Sequence, residues 1–232
     1  MKKQTLRQAA LALVLFTVTA TAATAQVGDQ RHNLALGVNA GVNLNSVSFS
    51  PTVRQKNQMG YTAGVTARYI SERYFKMICG AQVEVNLSQH GWNEFYEEFP
   101  DLSYTRTTNY VEIPFLAHLA FGREPRGIQF FIHAGPQIGF YISDSHTISD
   151  NWDTVTGATV EQHDKKVDKP FDYGIAAGAG LELRTRAGNF LVEGRYYYGL
   201  SDFYGTTKKD YFSRAANSAI TVKVSYLFDM RK

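Results

Sequence analysis

Apolar and polar residues alternate along most of this chain with a period of two, the spacing of a strand whose two faces meet different surroundings. Residues 108–122, TNYVEIPFLAHLAFG, show it well. Val111, Ile113, Phe115, Ala117, Leu119 and Phe121 share one face, while Thr108, Tyr110, Glu112, Pro114, Leu116 and His118 share the other. Read the same way, the chain predicts eight strands at about residues 34–44, 60–70, 75–87, 107–121, 128–142, 171–185, 190–201 and 218–228, and no helix-period segment competes with them. The connections alternate in length. Those at 45–59, 88–106, 143–170 and 202–217 are long, and those at 71–74, 122–127 and 186–189 are short.

An even number of antiparallel strands joined alternately by short and long connections is the pattern of a transmembrane barrel. The strands are long enough, since about 9 to 11 tilted residues cross a bilayer. A soluble lipocalin-like barrel is the rival, and it would turn its apolar face inward. Glycine separates the two. Gly37, Gly41, Gly60, Gly64, Gly80, Gly135, Gly139, Gly174, Gly178, Gly180 and Gly199 all fall on the polar faces, where they suit a crowded, curved interior better than an exposed surface. The apolar faces then meet lipid. Aromatics mark both of their ends: Tyr69, Phe75, Phe121, Phe190 and Phe228 near the short turns, Tyr61, Phe140, Tyr173 and Tyr198 near the long loops. The expected fold is an all-β, eight-stranded antiparallel transmembrane barrel with short periplasmic turns and long external loops.

That assignment puts charges inside. By parity the lumen holds Glu84, Glu112, Asp172, Glu182 and Glu193 against Arg68, Lys76, Arg184, Arg195 and Lys223, a balance that buried ions need. With Ala187-Gly188 as a two-residue hairpin turn, Glu182 falls opposite Glu193. This predicts a structural cluster of Glu182, Glu193, Arg195 and Lys223 with Arg184 beside it, and Glu112 belongs to the same lumen network. Pro114 removes a ladder donor within a strand, which predicts a bulge facing the lumen.

Composition changes this picture at the N-terminus. Lys2, Lys3 and Arg7 precede the apolar run 9–18 and the small residues Ala23-Thr24-Ala25. This pattern predicts a signal peptide over residues 1–25 and a barrel domain over 26–232. Removing the three cations leaves 21 Lys and Arg against 21 Asp and Glu, so no charge excess points to nucleic acid. The single cysteine, Cys79, forms no internal disulfide. With 14 Tyr, 15 Phe and 19 Gly but six Pro, the composition favours strands and turns.

The stretches NYVEIPFLAHLAFG, FIHAGPQIGFYI (131–142), FDYGIAAGAGLEL (171–183) and VEGRYYYGLSDF (192–203) together resemble the PorT-like outer-membrane β-barrel family of Bacteroidota, over about residues 34–228. The resemblance implies an outer-membrane location. Since one member of that family is an accessory of the type IX secretion system, it also implies a role in protein secretion. The chain departs from the pattern by running on past Phe228 as DMRK.

Candidate chemistry is sparse. Asp144-Ser145-His146 brings together the residue types of a hydrolase, but neighbours in sequence seldom meet the geometry of a triad. No spacing suggests zinc. Asp144, Asp150 and Asp153 carry the oxygen ligands of a calcium site, although loop aspartates are ordinarily solvated. An eight-stranded lumen filled by side chains is too narrow for a solute pore. What remains is interaction through the external loops, where Trp92, Phe95, Tyr96 and Phe99 form a candidate partner-binding patch or, equally, a lid over the barrel mouth. The sequence thus predicts no catalytic residue, cofactor or metal. The expected partners are outer-membrane lipid and envelope or secretion proteins, with a loop-borne hydrolase or a small-solute pore as the alternatives.

Overall fold

The computed structural model describes residues 28–95, 102–124, 126–149, 162–163, 165–207 and 210–231. Nine strands are present among them: β1 (Asp29–Ser50), β2 (Gln55–Lys56), β3 (Gln58–Tyr74), β4 (Met77–Phe95), β5 (Ser103–Gly122), β6 (Gly127–Ile148), β7 (Phe171–Arg184), β8 (Asn189–Gly199) and β9 (Arg214–Arg231). The eight long strands pair in sequence order, all antiparallel, and β9 closes the ring on β1 from Leu34↔Arg231 to Ser50↔Arg214. Full closure leaves no edge in the ring. The two-residue β2 joins β4 on the loop side.

Several strands outrun their predicted lengths toward the loops. β4 and β5 pair up to Phe95↔Ser103, and β5 and β6 up to Tyr104↔Ile148. Outward positions there are Asn93, Thr105, Thr107, Ser145 and Thr147, so the apolar alternation that marks a lipid-facing strand stops while the ladder continues.

The faces fall as parity predicts. Val38, Tyr61, Val65, Leu87, Ile175 and Val224 are exposed on the outside, and Arg68, Glu84, Glu112, His118, Glu182 and Lys223 are buried on the inside. All nine girdle aromatics are exposed on the outer surface. Four expectations need correction. Lys76 does not point into the lumen, because it is exposed in the turn between Tyr74 and Met77, where Phe75 takes φ 54°. Glu182 does not face Glu193: it pairs with Leu191, and Glu193 pairs with Gly180. The cause is the turn. Thr185 N donates to the Gly188 carbonyl at 3.0 Å and Thr185 Oγ1 accepts from Ala187 N at 3.2 Å, so the loop has four residues and the register moves by two, which preserves the face. The bulge expected at Pro114 is absent, since β4–β5 and β5–β6 hold one register on either side of it. The shift on this seam lies between Asn109 and Tyr110. Trp92, read as part of an external patch or of a lid over the mouth, is on β4 and fully buried in the loop-end cluster, which removes it from the patch and fits the lid.

Candidate functional site

The lumen is built in layers. At the turn end, Ala35, Ile70, Ile78, Ala120, Phe131, Leu191 and Leu227 form an apolar cluster across the barrel. Gly180 makes room for it, because a Cβ there would lie 2.6 Å from Phe131 Cζ and 2.2 Å from the Val192 carbonyl. Next to this plug Arg68 grips Glu182 through two hydrogen bonds of 2.6 and 2.8 Å, with Arg184 Nε 3.7 Å from the same carboxylate.

The central layer is a four-membered ion network. Arg195 donates to both oxygens of Glu84 at 2.9 and 3.0 Å and to both oxygens of Glu193 at 2.8 Å. Lys223 also donates to Glu84, as do the amides of Gln82 and Asn86 at 2.7 and 2.9 Å. His133 joins Glu193 at 3.1 Å and His118 at 2.8 Å. A desolvated carboxylate is tolerable only when it is paired and its other lone pairs are occupied, and Glu84 meets both conditions. Toward the loops, Glu112 accepts from Gln137 at 2.8 Å and meets His90 Nε2 at 2.6 Å. A cavity of about 20 Å³ lies beside that pair, room for about one water.

The loop end is closed by aromatics. Phe49 lies edge-on to Trp92 at 5.1 Å and near Phe212 at 5.2 Å, while Phe203 and Tyr204 meet at 4.6 Å. With Val47, Val53, Tyr104 and Ala215 they form one buried cluster. Polar groups anchor it. Trp92 Nε1 donates to Glu94 at 2.8 Å, and Arg106 donates to the Tyr204 hydroxyl at 2.8 Å and to Asp144 at 3.0 Å. Burial pushes the Tyr204 phenol up from its ordinary pKa. Tyr104 stacks on His163 at 3.9 Å, and the His146 ring lies nearly parallel to it at 6.0 Å. Beside the cap is a cleft of about 370 Å³ lined by Arg106, Tyr141, Asp144, His146, Lys166 and Val167.

Residues 24–205 match the family described as outer membrane protein beta-barrel domain. The chain belongs to that family. Its location is accordingly the outer membrane, with lipid around the apolar wall. The match is to the barrel domain as a whole and does not single out its PorT-like members. Similar solved structures include Ail, the attachment invasion locus protein of Yersinia pestis, in complex with the heparin analogue sucrose octasulfate, at 12% identity, covering 85% of this chain and 100% of Ail with a TM-score of 0.37. Others are the outer membrane enzyme PagL (13% identity, 82% and 97% covered, TM-score 0.45) and OprG from Pseudomonas aeruginosa (10% identity, 87% and 98% covered, TM-score 0.45). No curated protein matches the chain.

In this outer-membrane barrel the lumen residues expected in one cluster occupy three places. Glu193, Arg195 and Lys223 come together on Glu84, Glu182 and Arg184 lie in the layer nearer the turns, and Glu112 sits nearer the loops. Sequence reasoning placed Glu84 inside but missed it as the hub, because only the three-dimensional closure of β4 across from β8 and β9 brings it to Arg195 and Lys223. Of the proposed loop patch, Trp92 belongs to the internal cap, Phe95 ends β4, and Tyr96 and Phe99 lie outside the described residues, as do residues 1–25, Asp150 and Asp153. Asp144, Ser145 and His146 are not in a loop but on β6. Consecutive strand residues point to opposite faces, so Ser145 is turned away from the cleft that Asp144 and His146 line. Among the described residues no group of three or more His, Cys, Asp or Glu is placed to hold a metal ion.

Proposed function

We propose that this barrel is a non-enzymatic interaction or accessory component of the envelope that works through its loop-side surface. The observation that carries this reading is the sealing of the lumen at both ends. Trp92, Tyr104, Tyr204 and Phe212 at the loop end and Ala120, Phe131 and Leu227 at the turn end are each 0% exposed, with buried ion pairs between them. Packing of this kind argues against a solute path, and in the cleft the Asp144 carboxylate is held by Arg106 and by the Tyr141 hydroxyl. Recognition is left to the rim, where Lys166 and Tyr211 are exposed. The resemblance of the strand motifs to PorT-like barrels supports a partner in protein secretion. The pattern of residues 1–25 supports export through a cleaved signal peptide, which leaves 26–232 as one domain. Photo-crosslinkers at Lys166 and Tyr211 should each capture the same envelope protein in intact cells, and one at lipid-facing Ile175 should not. No capture from either rim position would refute the reading.

A further inference from the structure

The β3–β4 ladder is interrupted at the level of the outer girdle. β3 and β4 pair from the turn end only as far as Thr62↔Ser88. Beyond that point β3 continues to Gln58 on β1, and β4 continues to Phe95 on β5, so the ladder is interrupted at Tyr61 and Gln89 until β2 takes it up again at Lys56↔Asn93. Side chains make the bonds that the ladder no longer makes. The Gln89 carbonyl accepts from Asn45 Nδ2 at 2.9 Å and Asn43 Nδ2 at 3.2 Å, and Gln89 Oε1 accepts from Tyr61 N at 3.4 Å. Gly60 is required at this seam, since a Cβ there would lie 2.6 Å from the Gln89 carbonyl oxygen. Two strands further on, the β5–β6 register shifts from Asn109↔Ser143 to Tyr110↔Tyr141. Ile142 is thus the extra residue of a bulge, a feature that bends its strand.

Between these two irregularities the outer wall carries a groove of about 300 Å³, whose lining includes Tyr61, Ala63, Leu87, Gln89, Asn109 and Ile142. Its chemistry changes along its length. Outward positions pass from Leu87 to Gln89 on β4, from Val111 to Asn109 on β5 and from Ile142 to Ser143 on β6, which is the step from acyl chains to headgroups. We propose that this groove is a binding site for one outer-leaflet lipid. Its acyl chain lies against Ala63, Leu87 and Ile142, and its ester or amide carbonyl accepts from the carboxamide NH₂ groups of Gln89 and Asn109.

The setting favours a lipid over a protein partner. A groove at hydrocarbon depth forfeits dispersion contacts unless something apolar fills it, and a slender chain can reach its floor, whereas the convex wall of a second barrel cannot. The two amides stand at the height where a lipid carbonyl lies. Thr62 and Ser88 border both this groove and the water-sized cavity of the lumen. The bound chain therefore seals the seam that divides the polar interior from the bilayer.

The test uses the full barrel reconstituted in palmitoyl-oleoyl phosphatidylethanolamine nanodiscs, released into mild detergent and weighed by native mass spectrometry. Ala63→Phe fills the groove, Gln89→Leu removes the polar end, and Val192→Phe on the far wall is the control. Folding is checked by heat-modifiable gel mobility, and Leu87→Trp replaces Ala63→Phe if that variant does not fold. The expected result is one lipid retained by wild type and control, with retention falling roughly tenfold in the groove-filling variant and less in Gln89→Leu. No retained lipid in wild type, or equal retention in all variants, would overturn the proposal. So would a dimer mass that disappears with the groove-filling variant, because the occupant would then be a second copy.

Discussion

At the turn end the lumen is closed entirely by inward strand residues, with Phe131 at the centre of a ring of aliphatic neighbours. At the loop end, strand residues such as Phe49 and Trp92 supply only part of the closure. Val53, Phe203, Tyr204 and Phe212 reach it from the loops. The difference teaches how each seal is coupled to the fold. A side chain on the ring cannot leave without disturbing the ladder on both sides, whereas a loop can lift while the strands beneath stay paired.

The ion layer that both seals enclose should give the largest effect. In Arg195→Met, Glu84 keeps Lys223 but Glu193 loses its only Arg partner among the described residues. Glu193 is left with the His133 ring, and stripping a buried anion of its guanidinium partner should destabilise the barrel by about 3 to 5 kcal/mol, measured by urea unfolding in lipid vesicles. A loss under about 1 kcal/mol would mean that water reaches this layer and that the seals leak.

The comparison itself is tested by two truncations. Phe131→Ala should cost about 3 to 5 kcal/mol in the same assay, the range for emptying a large buried aromatic site. Phe212→Ala, equally buried, should cost less than about 2 kcal/mol globally, because loop 200–213 can open alone, and its effect should appear as faster amide exchange in that loop. Equal global losses would make the cap part of the cooperative core.

A smaller effect belongs to the turn surface outside the plug. Partial burial of Glu124 works to raise its pKa, but the hydrogen bond and charge of Arg31, with Arg73 and Arg184 nearby, hold it below the ordinary carboxylate range. A depressed pKa stabilises the fold above the unfolded value and loses that contribution as pH falls through the folded one. Glu124→Gln should therefore be weaker than wild type by roughly 0.2 to 1 kcal/mol at pH 7. The gap should close as pH drops below about 4.3. A gap unchanged down to acid pH would assign the difference to packing.

The two seals were also unequally legible in the sequence. Period-two alternation identified the strands and the inward faces, and with them Glu182, Glu193, Arg195 and Lys223, because lipid outside and packing inside impose opposite demands on adjacent residues. Register escaped it by two residues at the Thr185 to Gly188 turn, since Thr185 spends its hydroxyl on the turn. The cap escaped it more fully. Trp92 and Tyr104 keep inward parity, but their outward neighbours are polar, so the strands carrying them read as loop. Phe203 and Phe212 come from a segment with no period at all.

Single-channel recording in planar bilayers tests the sealed lumen most directly. Wild type should give no conductance steps at either polarity, and Phe131→Ala combined with Phe212→Ala should remain closed or conduct only in brief flickers, because the ion-paired layer still fills the middle. Regular, long-lived steps from the wild-type barrel would contradict the account.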